Sequence, residues 1–439
     1  MRIAYFSPFN PLKSGISDYS EYLVTALSDK AEVDLWVSGF VPINLEDKFL
    51  IMDYIDNPGL LEKLPEYDAI IYNIGNNPYY HSHIYDIFLK YNGYVILHDL
   101  ILYYLVTGFY LELINNSEML IKEAYYNGGF DAKELMESIL RNDVPALQYK
   151  NPENLPLNKR LIENAKGILV HSEYAKKQIL TVDEKASCWV IPQIGPQDNE
   201  ELSVDETIHL RNKYNIGEND LIIASFGFVA ESKRIHQVLH ALSNMNTKGL
   251  KYLLVGEGDY INPLVKKYKL ESIVIQTGFT TIEEFDKLIK LTDIVVNLRY
   301  PYMGETSASM IRALLFGKPS IVTDIGWFSE LPDESIVKVG YGENEVSELK
   351  KELEVLIYDK SLREKYSKEA SRYAMNYLNR SGIINNILNG ISDTEMVNAR
   401  RNFKLQYCDR VSEKLIEIGL DAADQNHLNY IAEQIFRIL

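Results

Sequence analysis

The chain has 439 residues, a hydrophobic share of 46% and a formal net charge of −17 at pH 7. That length suits two or three domains with sizeable cores, and the negative balance excludes a sequence-independent grip on nucleic acid, which needs a basic face for the phosphate backbone. It also argues against a polybasic membrane anchor.

In chain order, Arg2–Ser7 is a short apolar strand. The strand pattern begins at once, so no secretory signal is expected, and a cytoplasmic setting is. No apolar run is long enough to span a bilayer. Pro8-Phe-Asn-Pro-Leu-Lys-Ser-Gly-Ile-Ser-Asp18 is a breaker-rich loop. Tyr19–Leu27 reads as a helix with Tyr22, Leu23, Ala26 and Leu27 on one side. A strand, a glycine-bearing loop and a helix make the phosphate-facing half of a nucleotide-binding βαβ unit. The fingerprint G-x-G-x-x-G is absent, so a nicotinamide cofactor has no support.

Val33–Val37 and Ala69–Asn73 are further strands, and Tyr80–Tyr91 is helical. Tyr94–Leu97 is a strand that ends in His98-Asp99. Ligands of open α/β sheets gather at the carboxyl ends of strands, so His98 stands where chemistry is favoured. The competing reading is a structural hydrogen-bonding histidine. Residues 100–165 are helical and irregular by turns, broken at Asn127-Gly-Gly129 and at Asn151–Pro156. Gly167–His171 is a strand, and Ser172 can cap the helix Glu173–Leu180. The Pro- and Gly-bearing, then acidic, run Val190–Glu201 reads as a linker.

The second half restarts the alternation. Leu221–Phe226 is a strand opening into Gly227–Arg234, followed by the helix Ile235–Leu242. Tyr252–Val255, Ile273–Gln276, Ile294–Asn297 and Ser320–Thr323 are strands with helices between them. Near-continuous apolar strands alternating with helices indicate parallel sheets covered on both faces. The fold class is therefore α/β: two doubly wound, Rossmann-like domains facing across a cleft, residues 1–195 and 196–378. Ser347–Tyr358 and Leu362–Leu378 are helical, and a tail, residues 393–439, reads as further helices without a chemical motif.

Leu298–Pro319 is the stretch that promises most chemistry. It reads as a loop turning into a short helix. Gly304 frees the loop, and Thr306 or Ser307 can cap the helix. Ala308, Ile311 and Leu315 would form its buried stripe, and Gly317 and Pro319 end it. The start of such a helix offers unpaired N–H groups and partial positive charge to a phosphate, and Ser307, Ala308 and Ser309 are small enough to let one approach. Glu305, at the same entrance, either accepts hydrogen bonds from sugar hydroxyls or only complements the helix dipole. Three other strand-following loops hold Lys13 with Gly15, His98-Asp99, and Gly227 with Lys233 and Arg234; Arg299 belongs to the 298–319 stretch. A departing nucleoside diphosphate needs such converging positive groups. No D-x-D pair and no His/Cys/carboxylate cluster has metal-ligand spacing, so no metal or cofactor is expected. Cys188 and Cys408 form neither a metal-ligand pattern nor a disulfide framework. Nucleophile-elbow and Walker loops are absent as well.

Pro8–Tyr19, His98-Asp99, Gly227–Lys233 and Gly304–Pro319, in this order, resemble the retaining glycosyltransferases of family 4, which have the two-domain GT-B fold. The resemblance runs to about residue 392. It is especially similar to bacterial mannosyl- and rhamnosyl-transferases that build O-antigen and related surface polysaccharides. It implies transfer of a hexose or deoxyhexose from a nucleoside-diphosphate sugar to a saccharide acceptor, expected to be lipid-linked at the inner membrane face. Peripheral membrane contact would follow. Ser14 and Gly15 would approach the donor phosphates through their backbone, and His98 would sit near the C6 hydroxyl of the donor sugar. Lys233 would bind the diphosphate, Glu305 would contact the donor sugar, and a helix at about 379–392 would cross back to the first domain. The donor site would also include Gly227, Arg234, Arg299, Gly304, Thr306, Ser307, Ala308 and Arg312.

Two positions depart from the family. Phe228 replaces an arginine of the diphosphate grip, which Arg234 or Arg299 would then supply. Arg312 stands where the second of two glutamates, eight positions apart, would accept hydrogen bonds from the ribose, and arginine cannot accept any. Glu305 and Arg312 are seven apart and would share a face of one helix, so Arg312 is expected to pair with Glu305 or to reach a phosphate or the base. These departures also fit a rival: a non-catalytic GT-B partner that stabilises an active transferase. An epimerase or phosphorylase of the same fold is a further rival. The transferase account requires Lys233 and the amides at Thr306–Ala308 to aim at one anion pocket.

Overall fold

The computed structural model describes residues 1–43, 45–196 and 200–396. Met1–Ile384 forms one compact unit, and a second unit runs Asn385–Leu439. Residues 385–396 of the second unit are helical. The helices expected further along the tail lie outside the described residues.

The first unit holds two parallel sheets. The first has seven strands: β1 (Arg2–Phe6), β2 (Glu32–Val37), β3 (Leu50–Asp53), β4 (Ala69–Ile74), β5 (Tyr94–Leu97), β6 (Gly167–Val170) and β7 (Cys188–Val190). They lie in the order β3-β2-β1-β4-β5-β6-β7. The second has six: β8 (Leu221–Phe226), β9 (Leu250–Val255), β10 (Val274–Gly278), β11 (Ile294–Asn297), β12 (Ser320–Thr323) and β13 (Val337–Val339). Their order is β10-β9-β8-β11-β12-β13.

Strand chemistry explains the layering. In β8, Ile222, Ala224 and Phe226 join the core on one face with Met310, Ala313 and Leu314. Ile223 joins the core on the other face with Val238, Leu239 and Leu353. Both faces are dry, so every position can be apolar and no polar alternation is needed. The strands that sequence pattern does not reveal are β3, β7 and β13. All three are sheet edges. An edge strand has one ladder and one shielded side, so it needs neither length nor a continuous apolar run; Cys188–Val190 is half-buried at all three positions.

Side-chain caps set the helix starts. Ser14 caps Gly15–Leu27 by accepting the Ile16 amide, and Ser172 caps Glu173–Val182 through Ala175. The first helix thus begins four residues before the expected Tyr19, and Gly15 is its opening residue and not part of a loop. The apolar stripe starts only at Tyr19, whereas the backbone is already helical from the serine cap. The break expected at Asn127-Gly-Gly129 is a kink inside Ser117–Leu140, where Gly129 has φ 68°.

In each sheet the strand order reverses at one place, between β1 and β4 and between β8 and β11. Ligand crevices of open α/β sheets form at the carboxyl ends of strands at such reversals. The loops after β1, β4 and β5 and those after β8 and β11 meet there. Asn379, Arg380, Ser381 and Ile384 share a surface groove with Ala26, Asp29 and Lys30, at the end of the first helix.

Candidate active site

The helix of the 298–319 stretch runs Ala308–Leu315. Its N-cap is Ser307, whose hydroxyl accepts the Met310 amide at 3.3 Å. Asn297, at the end of β11, donates to the Ser307 and Ser309 hydroxyls at 3.0 and 3.1 Å and fixes that start. The buried residues are Met310–Leu314, while Ala308 and Leu315 are half-buried. The expected stripe of Ala308, Ile311 and Leu315 is therefore corrected: the helix is packed between the second sheet's core and the first domain, so two faces are covered.

The starts of two helices meet at one notch. Gly15, Asp18, Tyr19 and Tyr22 line it from the first domain, Gln193–Gly195 from the connection, and Ala308, Ile311 and Arg312 from the second. The first residues of two helices thus border one notch, together with Asp18 and Arg312, and helix starts are where anions are commonly held. The volume is about 20 Å³, room for about one water. The domains are closed on each other here. Thr306 reaches across to Gln193 at 2.9 Å, and Glu330 accepts the Glu173 amide at 3.1 Å.

Lys233 does not line this notch. It is half-buried, and its ammonium donates to the Phe226 carbonyl. Among the described residues it makes no ion pair. Burial, with help from Arg299 and against Glu305, lowers its pKa to about 7. Gly227, at φ 89°, gives the ammonium its space: a Cβ there would overlap Lys233 Nζ. Arg299 pairs with Glu305 (Nε to Oε1, 3.0 Å), and the other oxygen of Glu305 accepts the Met303 amide at 2.9 Å. Lys233, Arg299 and Glu305 are one electrostatic group, and Thr306 and Ser307 connect it to the helix start.

Other expected contacts are corrected. Arg312 does not pair with Glu305. Glu305 precedes the helix, so the two residues share no helical face. Arg312 instead binds both oxygens of Asp286 at 2.6 and 2.7 Å and Tyr22 Oη at 3.3 Å. Arg234 is turned away, in an ion pair with the buried Glu345. Of the two arginines expected to replace the one missing at Phe228, only Arg299 adjoins Lys233. Lys13 lies over the Phe279 ring at 4.2 Å.

His98 is buried, with Nε2 3.2 Å from Asn73 Oδ1. Its ring lies 5.0 Å from His171 and 4.8 Å from Tyr19. Burial first, then His171 and His81, push its pKa well below the ordinary value. It is a neutral hydrogen-bonding group and not a cation. His81, His171, Asp286 and Tyr22 are outside the sequence-derived set. Their partners are distant in sequence, and no motif marks them.

Gly304 has φ 84° and is packed so that a Cβ would overlap Leu100. Gly304→Ala is expected to destabilise the protein by more than the roughly 1–2 kcal/mol of a left-handed backbone alone. Gly278→Ala supplies the reference, since Gly278 has φ 71° and open space around it. Urea unfolding of both variants reads the difference; equal losses would remove the packing argument.

Comparison with solved structures places the architecture. HepE of Anabaena in complex with UDP-glucose superposes with TM-score 0.63 over 90% of this chain and 100% of its own, at 16% identity. Sucrose-phosphate synthase from Thermosynechococcus elongatus gives 0.63 over 91% and 100%, at 18% identity. The chain has the GT-B fold. The GT-B structure of WaaG, described as a glycosyltransferase involved in lipopolysaccharide biosynthesis, gives 0.56 over 88% and 99%, at 13% identity. In sequence, residues 206–373 match the family described as Glycosyl transferases group 1. That match covers most of the second GT-B domain, including Lys233, Arg299, Glu305 and Arg312. No curated protein sequence matches the chain. Among the described residues no helix is long and apolar enough to cross a membrane.

Proposed function

We propose that this protein is a retaining glycosyltransferase that moves a hexose or deoxyhexose from a nucleoside-diphosphate sugar to a saccharide acceptor. The setting is surface polysaccharide or glycoconjugate synthesis in the cytoplasm, with a lipid-linked acceptor met at the inner membrane face. The observation that carries the reading is the meeting of two helix starts, at Gly15 and Ala308, in one notch, with Glu305 of the Lys233–Arg299–Glu305 group just ahead of the Ala308 helix in the chain. The group 1 match over this half supports it. So does the UDP-glucose held by the GT-B neighbour HepE.

In this reading the diphosphate lies against the Ala308 helix start and reaches Lys233 and Arg299. Its developing charge is met by donors already in place, which costs no reorganisation during the reaction. The bond from the sugar's anomeric carbon to the diphosphate breaks, and the acceptor oxygen bonds the same face of that carbon. The acceptor's proton passes to the departing phosphate oxygen. No metal takes part in this scheme. Glu305 and neutral His98 accept or donate hydrogen bonds to the sugar hydroxyls. The notch holds about one water in the closed state, so the donor enters with the domains apart. Reclosure, through Met303 and Thr306, then excludes water from the reaction.

A thermal-shift screen against UDP-, GDP- and dTDP-sugars tests the proposal. A ligand at about 100 times its Kd stabilises the native state by about 2.7 kcal/mol, so one nucleotide series is expected to stand out. No shift with any of them would overturn the reading. Acceptor-dependent release of nucleoside diphosphate, lost in Glu305→Ala, distinguishes the transferase from a non-catalytic GT-B partner.

A further inference from the structure

The first domain brings a carboxylate to the same junction. Asp99 follows His98 at the carboxyl end of β5 and is half-buried. Its Oδ2 accepts the Asn76 amide at 2.7 Å. Among the described residues its Oδ1 takes no protein hydrogen bond. The next two amides, of Leu100 and Ile101, both donate to the Met303 carbonyl, at 2.8 and 3.0 Å, while the Met303 amide donates to Glu305. Asp99 and Glu305 thus approach from opposite domains, tied by one short strap, with Arg299 on the Glu305 side. Their charges interact: burial first and then Glu305 push the Asp99 carboxyl up to about 7, against the Asn76 amide and Arg299. The Asp99 Oδ1 is not sealed from solvent, so a hydrogen-bond donor from outside the protein can reach it. The Asn76 amide and the bonds of Leu100 and Ile101 to Met303 fix the carboxylate's place near Glu305. Two carboxylates of opposite domains meet here, so a further anion would be repelled, whereas a neutral hydroxyl can donate to the open oxygen.

We propose that Asp99 is a substrate-contacting residue of this site, its free carboxylate oxygen accepting a hydrogen bond from a hydroxyl of the transferred sugar, across from Glu305. The assignment rests on the nucleotide-sugar reading given above. It makes Asp99 a determinant of which sugar is held, through the position of that hydroxyl. The nucleoside diphosphate itself is left to Lys233, Arg299 and the helix starts.

The test separates the two claims. Calorimetry on the full chain compares the nucleotide sugar with the largest thermal shift and its parent nucleoside diphosphate. The ratio of the two affinities is the contribution of the sugar. Asp99→Ala is expected to cut nucleotide-sugar affinity about tenfold or more, the effect of a lost hydrogen bond to a charged group. The parent diphosphate should bind as it does to wild type. Asp99→Asn, which keeps the shape and one acceptor oxygen, should lose less. Equal weakening of both ligands would show a merely structural residue and overturn the proposal, as would unchanged binding of both. If wild type binds neither ligand, the nucleotide-sugar reading fails and the proposal fails with it.

Discussion

Replacing Lys233 by alanine is expected to lower turnover of the nucleotide sugar by about 10²–10³, the loss seen when one preorganised donor is removed from a developing anion. The ammonium is half-buried, held by a carbonyl and unpaired with any carboxylate among the described residues. It is therefore available to an incoming diphosphate without a salt bridge having to break. Its lowered pKa, about 7, gives a second signature. Above pH 7 the free protein holds this lysine mostly neutral, while a bound diphosphate favours the charged form. Binding must then take up a proton, so affinity falls as pH rises, by up to about tenfold per pH unit, and levels off below pH 7. In Lys233→Ala the slope should shrink. Calorimetry in buffers of differing ionisation enthalpy counts the protons. A flat wild-type profile between pH 6 and 9 would contradict the assignment.

Arg312→Ala is expected to cost about 3 kcal/mol of stability. Removing one partner of a buried ion pair typically costs about 3–5 kcal/mol because the other charge is left unmatched. The Asp286 side chain keeps 19% of its exposure against 6% for Arg312, which places the loss at the low end. Arg312→Glu, which restores the acid usual in the resembling family, should be worse. It would set a new carboxylate against Asp286, with Asp18 also close enough to Arg312 to sense its charge. Adding Asp286→Asn should recover part of the loss. Urea unfolding measures all three; an Arg312→Glu protein as stable as wild type would show that the pair is dispensable. The same residues address function. Arg312 is spent on Asp286 and Tyr22, so it is a brace between the domains more than a ligand for ribose.

Much of the architecture is legible because two-sided burial writes itself into the strands. Leu221–Phe226, Ile294–Asn297 and Ser320–Thr323 are continuous apolar runs bounded by turn residues, and each is a strand at those positions. Edge strands such as Val337–Val339 carry no such mark. The site is legible where a motif is local: the Ser307 cap, Gly304, and the Gly227 loop that makes room for Lys233. It is not legible where partners are far apart. Arg312 and Asp286 are 26 positions apart, and Tyr22 lies 290 from Arg312. Reading Glu305 and Arg312 as neighbours assumed one helix through both, and the Ser307 cap starts the helix after Glu305. Asp99 was in view beside His98, but only the fold shows which of the two faces Glu305.

The most direct test of the account is a crystal structure of the protein with a nucleoside diphosphate bound. The account predicts diphosphate oxygens within about 3 Å of Lys233 Nζ and of the amides that open the Ala308–Leu315 helix. A nucleotide seated elsewhere, with Lys233 still on the Phe226 carbonyl and the helix start unoccupied, would contradict it.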